Sequence, residues 1–277
     1  MTDADGAGRL PRRELFGLAL ALGAAAAAPP AGAAPVKPAG ASVMMHGRPL
    51  HVVDLTHELT GDFNMSPPRT RIAMQPIDGS GVAVGMKLNL LTLVEHTGTH
   101  IDVPRHFSDS GASLGQIPIG DLVVPLAILD LRGRVQLDRN AGVGVADILA
   151  WERRHGRLPE GCCVAVNSGW DPIGHYQHSG DLPAEERRKA PGFSPEGAEF
   201  LMTSRQVKGI AVDAMSIDTG TNGPAYPVHQ AWLRSGRWGI EGLTNLDAVP
   251  ASGAILIVGA APILNATGFP IRALAIF

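Results

Sequence analysis

The chain has 277 residues, enough for one large domain or two small ones. Its 45% hydrophobic and 18% charged residues are typical of a folded protein with a substantial core. A formal net charge of −3 gives no electrostatic reason to expect nucleic acid or an anionic membrane as a partner.

The first 40 residues are predicted to be an export signal and flexible N-terminus, followed by one domain at residues 41–277. Arg12 and Arg13 precede an apolar run from Gly17 to Ala28, and small residues follow it. This order favours a twin-arginine signal over an Ala/Pro tail with a chance Arg pair. We therefore expect the twin-arginine export machinery as a partner and a periplasmic or secreted protein. The apolar run is too short to leave a stable membrane anchor.

Apolar runs and helix-capping residues predict the remaining elements. Predicted strands or extended segments are His51–Thr56, Lys87–Leu93, Val123–Leu131, Val164–Ser168, Ile210–Asp213, Gly239–Leu243 and Ile255–Ala260, and predicted helices are Val145–His155, Ser194 to about Arg205, and Val228–Ser235.

Two local features sharpen this pattern. The helix Val145–His155 is expected to turn Leu149 and Trp151 inward and to stop at Gly156. The adjacent Cys162 and Cys163 lie in an apolar run, so we expect two buried thiols and no disulfide.

Three imidazoles and a carboxylate fall within eleven residues, at His96, His100, Asp102 and His106. A helix would place His96 and His100 on one face, but the local Gly, Thr, Ile and Val residues and Pro104 disfavour one. An extended strand running into a turn also aims these even-numbered side chains at one face. Such a cluster is suited to a divalent metal ion.

An irregular segment from Asp171 to Gly192 is long enough to be a lid or binding loop. Trp170 and Tyr176 are its candidate substrate contacts. Further along, Asp213 and Asp218 end a core strand, where they could orient metal-bound imidazoles or cap turns. The sequence leaves these two roles open.

The segment from His96 to Phe107 resembles the HxGTHxDxPxHF signature of the cyclase family of metal-dependent hydrolases. The family resemblance is weaker at four other segments, namely Val53–His57, Pro191–Ser194, Val212–Asp218 and Gly239–Asp247. The family fold implied is α/β, a single domain with a β-rich core and outer helices in a swivelling β/β/α-like architecture, usually a homo-oligomer. Gly242 departs from the family pattern, which commonly has Asn after the Glu.

The resemblance also implies roles for individual residues. It makes His96, His100 and Asp102 metal ligands, adds His229 and Glu241 for a second metal position, and makes His106 the catalytic histidine. Imidazole and carboxylate donors suit Mn²⁺ or Zn²⁺, as one or two ions.

The expected activity is hydrolysis of a small amide by metal-activated water, with His106 as general acid/base. Aryl formamides, isatin-type lactams and similar cyclic amides are the candidate substrates. The alternative is a non-catalytic periplasmic protein that binds a metal or ligand on the same fold. A pure binding protein has no need of His106 beyond the ligands, so this residue favours the enzyme.

Overall fold

The computed structural model describes residues 40–60, 72–77, 85–170, 186 and 188–277. The predicted export signal and Tyr176 lie outside these described residues. Within the described chain, the strands are β1 Ala41–Met45, β2 Arg48–Asp54, β3 Ala73–Pro76, β4 Asn89–Thr92, β5 His100–Asp102, β6 Val123–Asp130, β7 Gly142–Val143, β8 Cys163–Asn167, β9 Gly192–Phe193, β10 Gly209–Val212, β11 Trp238–Glu241, β12 Ala254–Gly259, β13 Gly268–Pro270 and β14 Arg272–Ile276. The helices are α1 Arg132–Val135, α2 Val145–His155, α3 Pro195–Ser204 and α4 Pro227–Arg234.

A ten-stranded mixed sheet organises the domain, in the order β1-β2-β14-β12-β6-β8-β10-β11-β5-β13. The four central strands β6, β8, β10 and β11 are parallel, and antiparallel strands flank them on both sides. Two short ribbons, β3–β4 and β7–β9, lie outside this sheet. The predicted α/β domain with a β-rich core is confirmed.

Strands β8, β10 and β11 are buried on both faces of the sheet, and the side chains of β8 show the alternation. Cys163 and Ala165 belong to one core cluster, while Val164 and Val166 belong to the other. A strand buried on both faces reads as a continuous apolar run, which is why it was recognisable in the sequence. All four helices of the described residues contribute to the second cluster, so they pack on one face of the sheet.

The two cysteines follow the same geometry. Cys162 lies in the helix-side cluster and Cys163 in the opposite cluster, and both are free. Burial raises the pKa of the Cys162 thiol to about 12 and that of Cys163 well above its ordinary value. The prediction of two buried, unpaired thiols is confirmed.

The helix ends also match the sequence. The Ser194 side chain accepts a hydrogen bond from the Gly197 N–H at 3.1 Å, and Pro195 takes the first position of α3. Helix α2 ends at Gly156, whose φ of 87° favours glycine.

The predicted inward face of α2 was partly wrong. Ile148 and Trp151 are buried, while Leu149 is 37% exposed. The Trp151 Nε1–H donates to the Ile128 carbonyl at 3.0 Å, which fixes the helix rotation and turns Leu149 away from the sheet. Among the described residues, no helix is long and apolar enough to cross a membrane.

Candidate metal centre

The predicted strand running into a turn is present from His100 to His106, but the prediction was wrong for His96, which lies before the strand. His96 and Gly98 lie in bends, and Gly98 has a φ of 67°. The Thr97 hydroxyl donates to the Val94 carbonyl at 2.6 Å and stabilises the bend. Strand β5 begins only at His100. After it, a 3₁₀ turn with Pro104 in its first position ends at His106.

Strand β5 lies between β11 and β13, and this placement assembles the site. His100 is directly opposite Glu241 on the antiparallel β11, and opposite Pro270 on β13. Asp102 is opposite Gly239 and Gly268 on the same two strands. Direct cross-strand neighbours have Cβ atoms only about 4.5–5.5 Å apart. The pairing therefore brings together residues separated by 141 positions in the chain.

The five predicted metal ligands converge around Asp102. Asp102 Oδ1 lies 2.6 Å from His96 Nδ1 and 3.3 Å from His100 Nε2, while Oδ2 lies 3.4 Å from His229 Nε2. Glu241 completes the cluster, with Oε1 3.0 Å from His229 Nε2 and Oε2 3.4 Å from His100 Nε2. His100, Asp102, His229 and Glu241 are buried.

Hydrogen bonds on the far side of two imidazoles fix which nitrogen faces the cluster. The His100 Nδ1–H donates to the Gly98 carbonyl at 2.9 Å, because a carbonyl can only accept. The His229 Nδ1–H donates to Asp218 Oδ2 at 2.7 Å. In both residues Nε2 is left to face the carboxylates. Metal-binding histidines are usually oriented by partners of this kind.

Asp218 resolves one of the alternatives that the sequence left open. Its carboxylate accepts the His229 ring N–H and also the backbone N–H groups of Val228 and His229, both at 3.0 Å. It therefore orients the imidazole and caps helix α4 at once. These bonds to Asp218 outweigh its burial and lower the pKa of its carboxyl. Asp213, in contrast, accepts hydrogen bonds from Ser168 and from the Trp170 N–H.

Charges in the cluster are strongly coupled. Burial disfavours the charged form of His100, but the Asp102 and Glu241 carboxylates outweigh it and raise the pKa of His100 to about 9. Burial likewise opposes ionisation of Asp102, yet the adjacent imidazoles hold the pKa of Asp102 well below its ordinary value. The pKa of His229 is raised well above its ordinary value because Asp102, Asp218 and Glu241 outweigh burial. The carboxylates that raise the pKa values of the two imidazoles are also able to stabilise a bound cation.

The donor set fits a divalent metal. Two groups of residues each offer three ligand atoms that lie within 4.8 Å of one another. One group is His96, Asp102 and His106, and the other is His100, Asp102 and Glu241. Asp102 Oδ2 is buried, and within the described chain it makes no hydrogen bond of ordinary geometry. Buried polar atoms seldom lack a partner, and a cation bound at this oxygen would supply one. Nitrogen and carboxylate oxygen donors are those that Zn²⁺ and Mn²⁺ accept.

His106 lies beside this cluster and is partly buried. Its ring stacks on His96 with 3.9 Å between centroids, and lies 6.2 Å from the His229 ring. Burial, together with the neighbouring His96 and His229, lowers the pKa of His106 despite the attraction of Asp102. Its imidazole is therefore largely neutral at pH 7 and able to accept a proton.

Glu241 keeps its support despite the departure at Gly242. The Ile217 N–H donates to Glu241 Oε1 at 3.0 Å. Gly242 has a φ of 67°, and its carbonyl accepts the Thr99 hydroxyl at 2.5 Å. Glycine at this position lets the chain turn sharply after β11.

The substrate contacts predicted from the sequence are only partly placed. The guanidinium carbon of Arg139 lies over the Trp170 ring, 4.9 Å from the ring centroid. Tyr176 is outside the described residues. Phe107 and Tyr226 were not predicted as contacts, yet their rings lie 5.3 Å and 5.6 Å from the His229 ring. Phe107 belongs to the His96–Phe107 motif and could have been noticed there. Tyr226 is brought in only by the tertiary fold.

A serine-nucleophile motif in the sequence has a structural explanation. Gly111 to Gly115 has the spacing Gly-x-Ser-x-Gly, but Ser113 is fully buried and its hydroxyl donates to Gln116 Oε1 at 2.9 Å. A nucleophile elbow needs an exposed serine on a strand-to-helix turn. A Cβ on Gly111 would lie 2.6 Å from the Pro104 carbonyl carbon, so close packing explains that glycine.

The chain belongs to the cyclase family. The Cyclase family model, described as "Putative cyclase", matches residues 53–219. The chain is 31% identical to isatin hydrolase from Roseibium aggregatum over 232 residues, which cover 79% of this chain and 85% of that protein. It is 26% identical to kynurenine formamidase from Maricaulis maris, over 79% of this chain and 95% of the other.

A solved structure agrees with these relationships. Isatin hydrolase A from Labrenzia aggregata, bound to benzyl benzoate, superposes with a TM-score of 0.72 and 30% identity over 82% of this chain and 93% of that one. Together with the ligand cluster, these similarities make the chain a metal-dependent amidohydrolase of the cyclase family.

Proposed function

We propose that this protein hydrolyses the amide bond of a small aryl formamide, an isatin-type lactam or a similar cyclic amide. The observation that carries the proposal is the convergence of three imidazoles and Glu241 on the buried Asp102. The similarity to isatin hydrolase and kynurenine formamidase supports the bond type.

Mn²⁺ or Zn²⁺, as one or two ions, would be held by His96, His100, Asp102, His229 and Glu241. When bound, such an ion lowers the pKa of water and polarises a carbonyl group. Asp102 contributes one oxygen on each side of the cluster, so it is suited to serve both metal positions.

His106 would act as the general acid/base. Its lowered pKa keeps the imidazole neutral, so it can accept a proton from the attacking water. As the C–N bond breaks, the same imidazolium would return that proton to the leaving nitrogen. Stacking on His96 holds the ring beside the ligands.

Aromatic side chains favour a flat aryl substrate. Phe107 is half-buried and Tyr226 is exposed, and both rings lie against His229 at the ligand cluster. Offset or edge contacts with such rings are favourable for an aromatic ligand. Isatins are the first substrates to test, because the identity to isatin hydrolase is 31% and that to kynurenine formamidase 26%. Trp170 and Tyr176 remain candidate contacts.

The test is a hydrolysis screen on Mn²⁺- and Zn²⁺-reconstituted protein, with isatins, aryl formamides, cyclic imides and lactones. We expect turnover of at least one amide class, and Asp102→Ala protein prepared in parallel is the inactive control. Tight metal and ligand binding without turnover of any substrate would instead support the non-catalytic binding protein.

We also propose export by the twin-arginine route and a homo-oligomeric state. Replacing Arg12 and Arg13 by Lys should keep the protein out of the periplasm in fractionated cells, and unchanged export would exclude that route.

Oligomer formation is supported by large apolar side chains exposed on and beside the β3–β4 ribbon, namely Met74, Ile77, Leu88, Leu90 and Leu91. Light scattering on the purified protein should give a mass above one chain.

A further inference from the structure

His96 differs from the other two imidazoles in what lies behind it. His100 and His229 donate to a carbonyl and a carboxylate, which can only accept. His96 Nε2 instead lies 2.9 Å from the Thr267 hydroxyl, which is able to donate or to accept. That contact alone therefore does not determine which ring nitrogen of His96 carries the proton.

Glu95 removes this ambiguity. Its Oε2 accepts the Thr267 backbone N–H at 3.1 Å and is in close contact with the Thr267 hydroxyl. Because a carboxylate has no proton to give, the hydroxyl proton must point to Glu95. The Thr267 oxygen is then left to accept, and its donor is the Nε2–H of His96.

We propose that the Glu95–Thr267 pair is a positioning device that holds His96 in its Nε2–H tautomer and presents Nδ1 to the metal. Nδ1 lies 2.6 Å from Asp102 Oδ1, at the edge of the ligand cluster. The inference rests on the proposed function only in requiring a divalent metal at this cluster. It gives His96 the opposite ligating nitrogen from His100 and His229, which face the cluster through Nε2.

The backbone around Thr267 makes the contact rigid. The Val103 N–H donates to the Thr267 carbonyl at 3.1 Å, which ties Thr267 to the end of β5. A Cβ on the next residue, Gly268, would lie 2.6 Å from His96 Cε1 and 3.0 Å from its Nδ1. The β13 backbone therefore packs directly against the imidazole and leaves it little freedom to turn.

Three variants test the device through metal affinity. In Glu95→Ala the acceptor of the Thr267 hydroxyl proton is lost, so the hydroxyl is free to donate to His96 Nε2 and the ring proton moves to Nδ1. We expect the Zn²⁺ dissociation constant to rise about 10- to 100-fold, the usual effect of losing an outer partner of a ligand. Thr267→Val should weaken Zn²⁺ binding similarly. Thr267→Ser keeps the hydroxyl, so its Zn²⁺ dissociation constant should stay within about threefold of the wild-type value.

Thr203→Val is the matched control, because Thr203 is exposed on α3 and its hydroxyl bonds only to neighbours on that helix, the Glu199 carbonyl and the Ser204 hydroxyl, among the described contacts. Zn²⁺ affinity is measured by competition with a chelator, and circular dichroism checks that each variant is folded. Affinity unchanged in both Glu95→Ala and Thr267→Val would overturn the proposal.

The tautomer is also measurable in the unmodified protein. In a ¹H–¹⁵N spectrum of the Zn²⁺-loaded protein with ¹⁵N-labelled histidine, His96 should keep its proton on Nε2. A proton on Nδ1, or protein that binds no Zn²⁺, would overturn the inference. Both measurements are independent of turnover. Protein that binds Zn²⁺ with the expected tautomer but hydrolyses no amide would refute the proposed function alone.

Discussion

At the scale of single residues, Asp102 is the carboxylate that the whole cluster shares. It contacts the rings of His96, His100 and His229, and its Oδ2 is buried. The sequence revealed this cluster because four of its ligand-type side chains lie within eleven residues. It did not reveal Glu95 and Thr267, since their contact joins residues 172 positions apart through a fold that no local pattern encodes.

His106→Asn separates proton transfer from metal binding. If His106 transfers the proton, the variant should keep its metal while kcat falls by about 10²–10⁴, the usual contribution of a positioned acid/base. The acidic limb of the wild-type kcat/KM profile should lie below pH 6.5, because burial lowers the pKa of His106 and the base is active when neutral. Metal content, kcat and pH profile are measured on one preparation. Loss of metal in step with activity would make His106 a ligand instead.

Asp218→Asn tests the partner of His229. The amide can present its N–H groups to His229 Nδ1 and so favour the wrong tautomer, as well as weakening the cap of α4. We expect Mn²⁺ or Zn²⁺ affinity to fall about 10- to 100-fold. Asp247→Asn, at an exposed position, is the control. Equal affinities in the two variants would show that Asp218 only caps the helix.

At the scale of elements, sequence patterns predicted what local chemistry determines. Strands buried on both faces and the Ser194–Pro195 cap were recognisable because each rests on neighbouring residues. The bend at Gly98 and the outward position of Leu149 were missed, since a positive φ and a helix rotation depend on tertiary contacts. The pairing of β5 with β11, which joins His100 to Glu241, is likewise set by the whole sheet.

Gly209 on β10 provides a test of this packing. A Cβ at Gly209 would lie 2.2 Å from the Trp238 ring, and that ring is buried with its Nε1–H donating to the Asp121 carbonyl. Gly209→Ala should therefore lower the free energy of unfolding by about 1–3 kcal/mol, the usual effect of overpacking. Urea denaturation measures it. Gly133→Ala on α1, where a Cβ meets nothing within 4 Å, is the control and should be neutral or stabilising. Equal effects of both substitutions would refute this account of the packing.

At the scale of the whole molecule, one sheet supports a cluster of opposing charges that a cation would stabilise. The resemblance carried by the His96–Phe107 motif predicted the family and the fold class. The composition predicted a folded domain but neither strand order nor ligand geometry, because both depend on contacts distant in the chain.

Metal-free protein should become less stable as pH rises from 6.5 to 8.5. The native pKa of His100 is about 9 and its ordinary value is 6.5, so the folded state binds more protons across this range. The free energy of unfolding therefore falls as pH rises towards the pKa of His100 in the folded state. The fall is at most about 1.4 kcal/mol per pH unit for each proton. Urea unfolding with a chelator present measures it. A flat or rising trend would contradict the charge assignment, and metal-saturated protein should show the opposite slope because metal binding displaces the protons.

The central claim is that a divalent metal in this cluster supports amide hydrolysis. The most direct measurement titrates metal-stripped protein with Mn²⁺ or Zn²⁺ and follows bound metal and isatin or aryl formamide hydrolysis on the same samples. We predict that the rate rises from near zero as metal binds and saturates at one or two ions per chain. Asp102→Ala protein should bind little metal and stay inactive. Hydrolysis that persists in the fully stripped wild-type protein, or that is equal in Asp102→Ala, would contradict the account.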